Sequence, residues 1–553
     1  MVTCFVRSSL GLAFLLFMTT QLAPLASHAA PPHLTKQGTA TRLIVHDKPL
    51  LVLGGELGNS SASSAAYMEP HWSRLRQMHL NTVLAPVSWE LIEPTPGSFR
   101  WESVDSLLAS ARAHQLNLIL LWFGTWKNSM STYVPSWVKR DASRFPRAQL
   151  PSAQSVEILS VFGAETLAAD ARAFAALMAH LRRVDGRHST VIMVQVNNEI
   201  GMLPSAREHG ALADQMFRSQ VPDELVQRLA AEPATLEPEL RRLWEARGAK
   251  RSGDWASLFG EGDAAAEVFM AWHYARFVET LVRAGKAAYP LPMFVNAAVN
   301  RANKAPGEYP SGGPVPHLMD VWKAGAPSVD LLAPDIYFPN FVDLASRYKR
   351  ADNPLLIPEA NYSGKAEVPA NAFYAFGKLD AIGFAPFSIE SIDQQQPNAL
   401  GEAYAVLEQL SPAILASQGL GRMSGFRPRV REDETVIDAP VTETLGSYRF
   451  TVSFLDMWTP KEQQNTSSHG GLIIQTGAED YLVAGRGMIV TFEAAGDGLP
   501  LAGIDSAWEG SFDARGQWIA GRLLNGDQTH QGRHLRLAPG KFQIQRVRLY
   551  RYR

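Results

Sequence analysis

The sequence has little cysteine, no excess of charge of either sign and few long apolar runs. Cys4 is the one cysteine among 553 residues, which excludes a disulfide within the chain, a thiolate metal site and a cysteine nucleophile beyond the N-terminus. Lys and Arg number 52 and Asp and Glu 54, a formal net charge of -2. This balance provides no basic surface for a phosphate backbone, so we expect no nucleic acid partner.

Residues 1–30 have the pattern of a secretory signal peptide. Arg7 precedes an apolar run over residues 10–18, and small residues follow at 26–30. The run is shorter than the roughly 20 apolar residues of a membrane-spanning helix, although an uncleaved anchor is the alternative. We predict a cleaved signal that includes Cys4, a periplasmic or secreted protein, and no membrane association after cleavage.

Several motifs of well-known chemistries are missing from the chain. It contains no Gly-x-x-x-x-Gly-Lys-Ser/Thr, Gly-x-Gly-x-x-Gly, His-Glu-x-x-His or Gly-x-Ser-x-Gly. Nucleotide, zinc-protease and serine-hydrolase chemistries therefore lose support. We expect neither a metal nor an organic cofactor.

Short aliphatic runs alternate with helical patterns from about residue 42, as in a parallel sheet with crossover helices. Eight runs and their helices over some 370 residues predict a (β/α)8 TIM barrel with long insertions, and a doubly wound sheet is the alternative. The predicted strands are Leu50–Leu53, Thr82–Ala85, Leu116–Trp122, Val191–Val196, Pro292–Val295, Val329–Ala333, Leu355–Pro358 and Ala381–Pro386.

The pattern changes beyond Gly419 to short alternating segments separated by Gly, Asp and Asn, which predicts a smaller all-β, sandwich-like domain. The expected organisation is thus a signal peptide over residues 1–30, an α/β catalytic barrel over 31–418 and a β-rich C-terminal domain over 419–553. Insertions around 133–165 and 204–255 follow predicted strands, so we place them on the C-terminal face, where barrels build their sites.

Two glutamates each follow the apolar run of a predicted strand. Glu199 ends Val194-Gln195-Val196-Asn197-Asn198-Glu199 at strand four, and Glu359 ends Leu355-Leu356-Ile357-Pro358-Glu359 at strand seven. A closed barrel would bring them together, and retaining glycoside cleavage uses such a pair, one carboxyl as acid and base and one as nucleophile. Taken singly, Glu199 could belong to a helix cap and Glu359 to an ion pair.

Aromatic and polar side chains near the same strand ends suggest a sugar pocket, because rings stack on the C–H faces of sugars and polar groups bind their hydroxyls. We select Asn198 for the 2-hydroxyl of the sugar and expect Glu390 to be a binding residue, with a fallback role as nucleophile. Three rim segments supply the other selected residues, Trp126, Lys127, Glu90 and Tyr337.

The order of several motifs resembles glycoside hydrolase family 35, the β-galactosidases, and within it a bacterial branch with a β-rich C-terminal domain. The motifs are Gly55-Glu56-Leu57, residues 87–94 with Gly97, residues 133–138, Asn198-Glu199 and Glu359. The resemblance covers about residues 42–550 and implies Glu199 as acid/base and Glu359 as nucleophile. The family's Trp-Asn-x-His-Glu-Pro is Trp89-Glu90-Leu91-Ile92-Glu93-Pro94 here, which weakens the case for strict galactose preference.

The sequence thus predicts a retaining exo-glycosidase that removes terminal β-galactosides from oligo- or polysaccharides, with carbohydrate as its partner. A β-glucosidase or another retaining glycosidase on the same barrel is one alternative. A noncatalytic glycan-binding surface protein is another, although it would have no need of both carboxylates. The sequence leaves the oligomeric state open.

Overall fold

The computed structural model describes residues 1–4, 30–392, 398–495 and 501–553. The predicted signal peptide lies largely outside these ranges. In the described ranges, no helix combines the length and the apolar character that a membrane crossing requires.

The strands and helices alternate as far as Ser417, and strands predominate after it. In chain order the strands are β1 (His33–Gln37), β2 (Ala40–Val45), β3 (Lys48–Leu50), β4 (Val52–Glu56), β5 (Thr82–Ser88), β6 (Asn117–Phe123), β7 (Arg147–Gln149), β8 (Ser155–Leu159), β9 (Val191–Val196), β10 (Met293–Ala298), β11 (Leu331–Asp335), β12 (Leu356–Ile357), β13 (Gly383–Phe384), β14 (Met423–Phe426), β15 (Arg429–Val430), β16 (Val436–Ile437), β17 (Val441–Leu445), β18 (Tyr448–Ser453), β19 (Gly470–Gln475), β20 (Asp480–Arg486), β21 (Met488–Ala494), β22 (Leu501–Phe512), β23 (Trp518–Leu523), β24 (Leu535–Leu537) and β25 (Gln543–Tyr552). The α-helices are α1 (Ala65–Met68), α2 (Trp72–Gln77), α3 (Trp89–Ile92), α4 (Glu102–Ala113), α5 (Ser136–Lys139), α6 (Ala164–Asp185), α7 (Ala211–Phe217), α8 (Asp223–Ala231), α9 (Pro238–Glu245), α10 (Trp255–Phe259), α11 (Asp263–Ala288), α12 (Met319–Gly325), α13 (Phe341–Tyr348), α14 (Val368–Leu379) and α15 (Ala399–Ser417).

Eight parallel strands form the barrel, in the order β11-β10-β9-β6-β5-β4-β13-β12. The ring is completed between β11 and β12, where Asp335 and Glu359 form a parallel bridge and the Ile336 N–H donates to the Glu359 carbonyl at 2.8 Å. The predicted TIM barrel is therefore confirmed. Each predicted strand overlaps an observed one, because these strands are buried on both faces and read as continuous aliphatic runs.

The long crossover helices are amphipathic, as their sequences require. On α6, buried residues recur three and four positions apart, from Ala169 through Ala173 and Leu177 to Leu181, and this face packs on α11. α15 begins at Asn398, whose side chain accepts the Leu400 and Gly401 N–H groups. That cap fixes the start of the last barrel helix.

A three-stranded antiparallel sheet, β1 to β3, precedes the barrel and was not predicted. Its Leu43 and Val45 belong to the same buried cluster as Val52 and Ile119 inside the barrel. Thr39 donates to the Gly419 carbonyl just beyond α15. The N-terminal sheet therefore closes the end of the barrel at which the strands begin.

The C-terminal region has two main antiparallel sheets, one of six strands (β14-β19-β20-β25-β22-β23) and one of four (β17-β18-β21-β24). Leu472, Ile474 and Ile544 of the larger sheet share the barrel's hydrophobic core, and Phe373 of α14 stacks on Phe542 at 5.3 Å. The region thus packs firmly on the barrel through α14 and α15.

Candidate active site

Five charged side chains converge where the barrel strands end. Glu56 and Asp335 are the last residues of β4 and β11, Lys127 follows β6, Glu199 follows β9 and Glu359 follows β12. The C-terminal ends of parallel strands meet at one face of a barrel, which is where such folds place their sites. The structure therefore brings together residues that are up to 303 positions apart in the chain.

The carboxylates of Glu199, Asp335 and Glu359 lie very close together. One oxygen of each falls within 4.8 Å of one oxygen of each of the others. Retaining glycosidases hold their two carboxyl groups roughly 5 Å apart, whereas inverting ones need about 6.5 to 9.5 Å to admit a water molecule. The predicted pair therefore has the spacing for direct attack on a sugar carbon.

Asn296 of β10 connects Asp335 with the segment that carries Asn198 and Glu199. Its side-chain Nδ2 donates to Asp335 Oδ2 at 2.6 Å and to Asn198 Oδ1 at 2.8 Å. Its Oδ1 accepts the Glu199 N–H at 3.0 Å. This buried amide fixes the turn that carries Glu199 with respect to the end of β11.

The backbone around Glu199 is bent into an uncommon conformation. Asn197 and Glu199 have φ values of 59° and 41°, in the left-handed region that a glutamate seldom adopts. Trp126 N–H donates to Asn197 Oδ1 at 3.0 Å, and Gln195 Nε2 donates to Asn198 Oδ1 at 2.7 Å. Strain of this kind persists where surrounding contacts hold it, often at functional sites.

The pKa of Glu359 is raised to about 7, first by burial and then by the negative charge of Glu199. Lys127 and a hydrogen bond from the Tyr337 hydroxyl act in the opposite direction and favour the carboxylate form. Burial also raises the pKa of Glu199, against which Lys127 acts. Glu359 thus has two groups that stabilise its ionised form, and Glu199 has one.

Glu56 and Asp335 are more deeply buried, and burial raises the pKa of each well above its usual value, with Glu359 as the next largest cause. Both oxygens of Glu56 and Oδ1 of Asp335 have no hydrogen-bond partner among the described residues. The same is true of Nδ2 of Asn198. Buried polar atoms without partners are costly, so these atoms are suited to receive the hydroxyls of a sugar.

The predicted site residues Asn198, Lys127 and Tyr337 lie near Glu199 and Glu359. Lys127 is buried, and its charge acts on the pKa of all four carboxyl groups. Tyr337 also packs edge-to-face on Tyr362, with ring centroids 5.4 Å apart. Tyr362 is 53% exposed, so an aromatic surface extends from Glu359 towards solvent.

Trp126 was predicted to line the sugar pocket, and the structure contradicts this. Its side chain is fully buried, in edge-to-face contact with Tyr274 and Phe277 of α11 at 5.3 and 4.6 Å. Its indole N–H donates to the Leu159 carbonyl. The ring is a core residue because the chain turns inward after β6, and no face is left for a sugar.

Glu90 and Glu390 have partners within the protein. Glu90 is half-buried and pairs with Lys139 at 2.9 Å, and among the described residues no contact joins it to Glu199 or Glu359. Glu390 accepts the Gly58 N–H at 2.9 Å and the Ser61 hydroxyl, which ties the segment after β13 to the loop after β4. Both carboxylates are already engaged in contacts within the protein, so the structure does not favour either of them as a sugar ligand. It also does not favour Glu390 as the nucleophile.

Sequence reasoning missed three residues as site residues: Glu56, Asp335 and Asn296. Glu56 and Asp335 had a usable signal, since each ends a strand of the barrel as an acidic residue after an apolar run. Asn296 lies inside β10 and carried no comparable signal. The three carboxylates of Glu199, Asp335 and Glu359 also have the proximity of metal ligands.

Two family models match parts of the chain. Residues 63–229 match the family 42 glycoside hydrolases, described as Beta-galactosidase, and residues 400–536 match a domain of unknown function, DUF5597. The first match includes Glu199 and makes this part of the barrel similar to a family of glycoside hydrolases. The predicted resemblance to family 35 is not confirmed, because the model that matches is that of family 42.

No protein with a curated description matches the sequence. Among solved structures, the β-galactosidase of the psychrophilic Marinomonas ef1 is 15% identical, with a TM-score of 0.45 over 67% of this chain and 60% of that one. A β-galactosidase of Rahnella sp. R3 is also 15% identical, with a TM-score of 0.45 over 69% and 57%. The catalytic domain of a β-amylase from Paenibacillus polymyxa is 12% identical, with a TM-score of 0.43 over 65% and 98%. The chain thus spans about 60% of the length of these galactosidases.

Proposed function

We propose that the protein is a retaining exo-glycosidase that removes terminal β-galactose from oligo- or polysaccharides. The observation that carries the proposal is the separation of the Glu199 and Glu359 carboxylates, within 4.8 Å of each other at the ends of two barrel strands. At that distance, one carboxylate can bond to the anomeric carbon of the sugar while the other protonates the leaving glycosidic oxygen. It leaves no room for an inverting water.

The difference in environment between the two carboxyl groups supports the roles that we propose for them. The hydrogen bond from Tyr337 and the charge of Lys127 stabilise ionised Glu359, which makes it the nucleophile. Glu199 has no such hydrogen bond among the described residues, and burial favours its protonated form, which makes it the acid. Paired carboxyl groups with different environments are the usual way to separate these roles.

The reaction then proceeds in two displacements. Glu359 forms a bond to the anomeric carbon while Glu199 transfers its proton to the departing glycosidic oxygen. Glu199, now ionised, removes a proton from a water molecule that attacks the same carbon and releases Glu359. The two inversions return the sugar with its original anomeric configuration.

Buried polar atoms around the pair are suited to bind the terminal sugar. Asn198 Nδ2 has no hydrogen-bond partner among the residues that the structure describes, and it belongs to the residue next to the proposed acid, as expected for a donor to the 2-hydroxyl. Glu56 and Asp335, whose pKa values are raised by burial, have oxygens without a partner among the described residues that could form further hydrogen bonds with the sugar. The preference for galactose is supported by the β-galactosidase model that matches residues 63–229.

Nitrophenyl β-galactoside and nitrophenyl β-glucoside test the proposal directly. We expect the galactoside to be hydrolysed with the higher kcat/KM, and NMR of the first product to show β-galactose. A higher kcat/KM on the glucoside would move the assignment to a β-glucosidase on the same barrel. Release of α-galactose would refute the double displacement, and hydrolysis of neither would favour a noncatalytic glycan-binding protein.

The place of action is also a proposal. The charged, apolar and small-residue pattern of residues 1–30 supports export and cleavage, so we propose a periplasmic or secreted enzyme. N-terminal sequencing of the protein purified from its native cell fractions would test this. An intact residue 1 in the cytoplasmic fraction would contradict it.

A further inference from the structure

A groove that shares no lining residue with the site around Glu199 and Glu359 carries two tryptophans. It lies between α15 and the six-stranded sheet and consists of two adjoining depressions of about 240 and 420 Å³. We call it the flank groove, and its principal lining residues are Pro412, Ser506, Trp508, Phe512, Trp518 and Arg546. Trp518 and Arg546 border both depressions.

Strand register places these side chains on one face of the sheet. Trp508 of β22 lies opposite Arg546 of β25, and Phe512 lies opposite Trp518 of β23. Residues two apart on a strand share a face, so Ser506 joins Trp508 and Phe512. The groove floor is thus a row of cross-strand pairs.

The position of Trp518 is built into the sheet. A Cβ atom at Gly510 would lie 2.4 Å from Cζ2 of the Trp518 ring, so the indole occupies space that only a glycine leaves free. Phe512 holds the ring from the other side in an edge-to-face contact at 5.1 Å. Gln409 of α15 accepts the Phe512 N–H at 2.8 Å, which fixes the sheet against the helix.

Polar groups in the groove are available to a ligand. Neither the Trp508 nor the Trp518 indole N–H donates to another described residue, and the Arg546 guanidinium has no hydrogen bond or ion pair in the described part of the chain. Arg548 beside it is neutralised by Asp480 at 2.9 Å. Half-buried indole rings with free donors and little net charge suit the C–H faces and hydroxyls of a neutral sugar chain.

The groove lies away from the active site along α15. The end of that helix, from Leu415 to Gln418, accepts hydrogen bonds from Gln37 of the N-terminal sheet, which covers the end of the barrel where strands begin. Pro412 lines the groove one turn before that point. A sugar held there is therefore not the one whose bond Glu199 and Glu359 would break.

We propose that the flank groove is a second carbohydrate site, which holds a stretch of a polysaccharide while the barrel acts on a terminal sugar elsewhere in the same molecule. The identity of the polymer, one bearing terminal β-galactose, rests on the proposed function. The site itself rests on the tryptophan face and the free donors. The role of the C-terminal region is then to retain polymeric substrate.

Electrophoresis in native gels that contain soluble β-1,4-galactan or arabinogalactan tests this with the full chain. All chains carry Glu359→Gln so that the polymer is not consumed. We expect at least one polymer to retard the parent chain, Trp508→Ala to weaken the binding about tenfold through loss of one stacking contact, and Trp508→Phe to restore part of it. Trp458→Ala is the matched control. Trp458 follows β18 of the four-stranded sheet and is 44% exposed, so this variant should bind the polymer as the parent does.

Absence of retardation with both polymers, or equal retardation of parent and Trp508→Ala, would overturn the proposal. Equal losses in Trp508→Ala and Trp458→Ala would also overturn it. The nitrophenyl galactoside assay separates the two proposals, because that substrate is too small to span both sites. In chains that keep Glu359, Trp508→Ala should have the kcat/KM of the unmodified enzyme. An unmodified enzyme that binds polymer but hydrolyses no galactoside would refute the proposed function without contradicting the flank groove as a carbohydrate site.

Discussion

The Tyr337 hydroxyl donates a hydrogen bond to Glu359 Oε2 from the neighbouring barrel strand. The two residues follow β11 and β12, the strands at which the ring closes. This contact distinguishes Glu359 from Glu199, whose carboxyl group accepts no hydrogen bond from another described residue. The chemistry of the pair therefore depends on where the barrel closes.

Replacement of Tyr337 by phenylalanine should move the acidic limb of the kcat/KM–pH profile to higher pH. The lost hydrogen bond favoured the Glu359 carboxylate, so the pKa of that carboxyl rises and more of it is protonated at neutral pH. We also expect kcat/KM at the optimum to fall roughly tenfold to a hundredfold. An acidic limb that does not move would show that Glu359 is not the group titrating there.

Glu359→Gln should remove turnover of nitrophenyl galactoside by roughly ten-thousandfold or more while the fold is retained. The amide has the shape of the carboxyl but cannot attack the anomeric carbon. Circular dichroism checks the fold. Glu390→Gln is the matched control. A larger loss of activity in that variant would indicate that Glu390, and not Glu359, is the nucleophile.

Glu199→Gln should affect substrates according to their leaving groups. Nitrophenolate departs without a proton, so the first displacement of the aryl galactoside should be slowed far less than that of a disaccharide, for which a loss of about 10²- to 10⁴-fold is expected. Single-turnover rates on nitrophenyl galactoside and lactose measure this. Equal losses on both substrates would contradict the role of Glu199 as acid.

Glu359→Gln should also stabilise the protein at high pH. The pKa of Glu359 is about 7 in the fold, above the ordinary value of an unfolded glutamate, so ionisation between about pH 4.5 and 7 destabilises the folded state. Glutamine cannot ionise, so the variant does not lose this stability. Its free energy of unfolding at high pH should be greater by roughly 3 kcal/mol if the whole pKa difference between the folded and unfolded states is realised. Thermal unfolding should give a higher Tm for the variant at pH 8 and equal values near pH 4; a lower Tm at pH 8 would contradict the raised pKa.

Trp126→Phe should lower stability and leave sugar binding nearly unchanged. The Trp126 ring is enclosed by Tyr274 and Phe277, and a smaller ring leaves a void that costs about 1 to 3 kcal/mol. Urea unfolding measures the loss, and KM for nitrophenyl galactoside tests the pocket. A large rise in KM with unchanged stability would show that Trp126 does contact the sugar.

The sequence by itself determined the eight barrel strands, because strands buried on both faces must be apolar throughout. It also determined that Glu199 and Glu359 follow strands four and seven, since a lone carboxylate directly after such a run stands out. The burial of Trp126 could not be read in the same way, because an aromatic residue after a strand can turn either inward or towards solvent.

Only the tertiary structure decided which side chains meet. Ring closure places Asp335 beside Glu359, and the position of Asn296 within β10 lets one amide contact Asp335, Asn198 and the Glu199 backbone. The burial that raises the carboxyl pKa values arises from all the strand ends together. Distances and desolvation between residues far apart in the chain are set by packing, which no local pattern encodes.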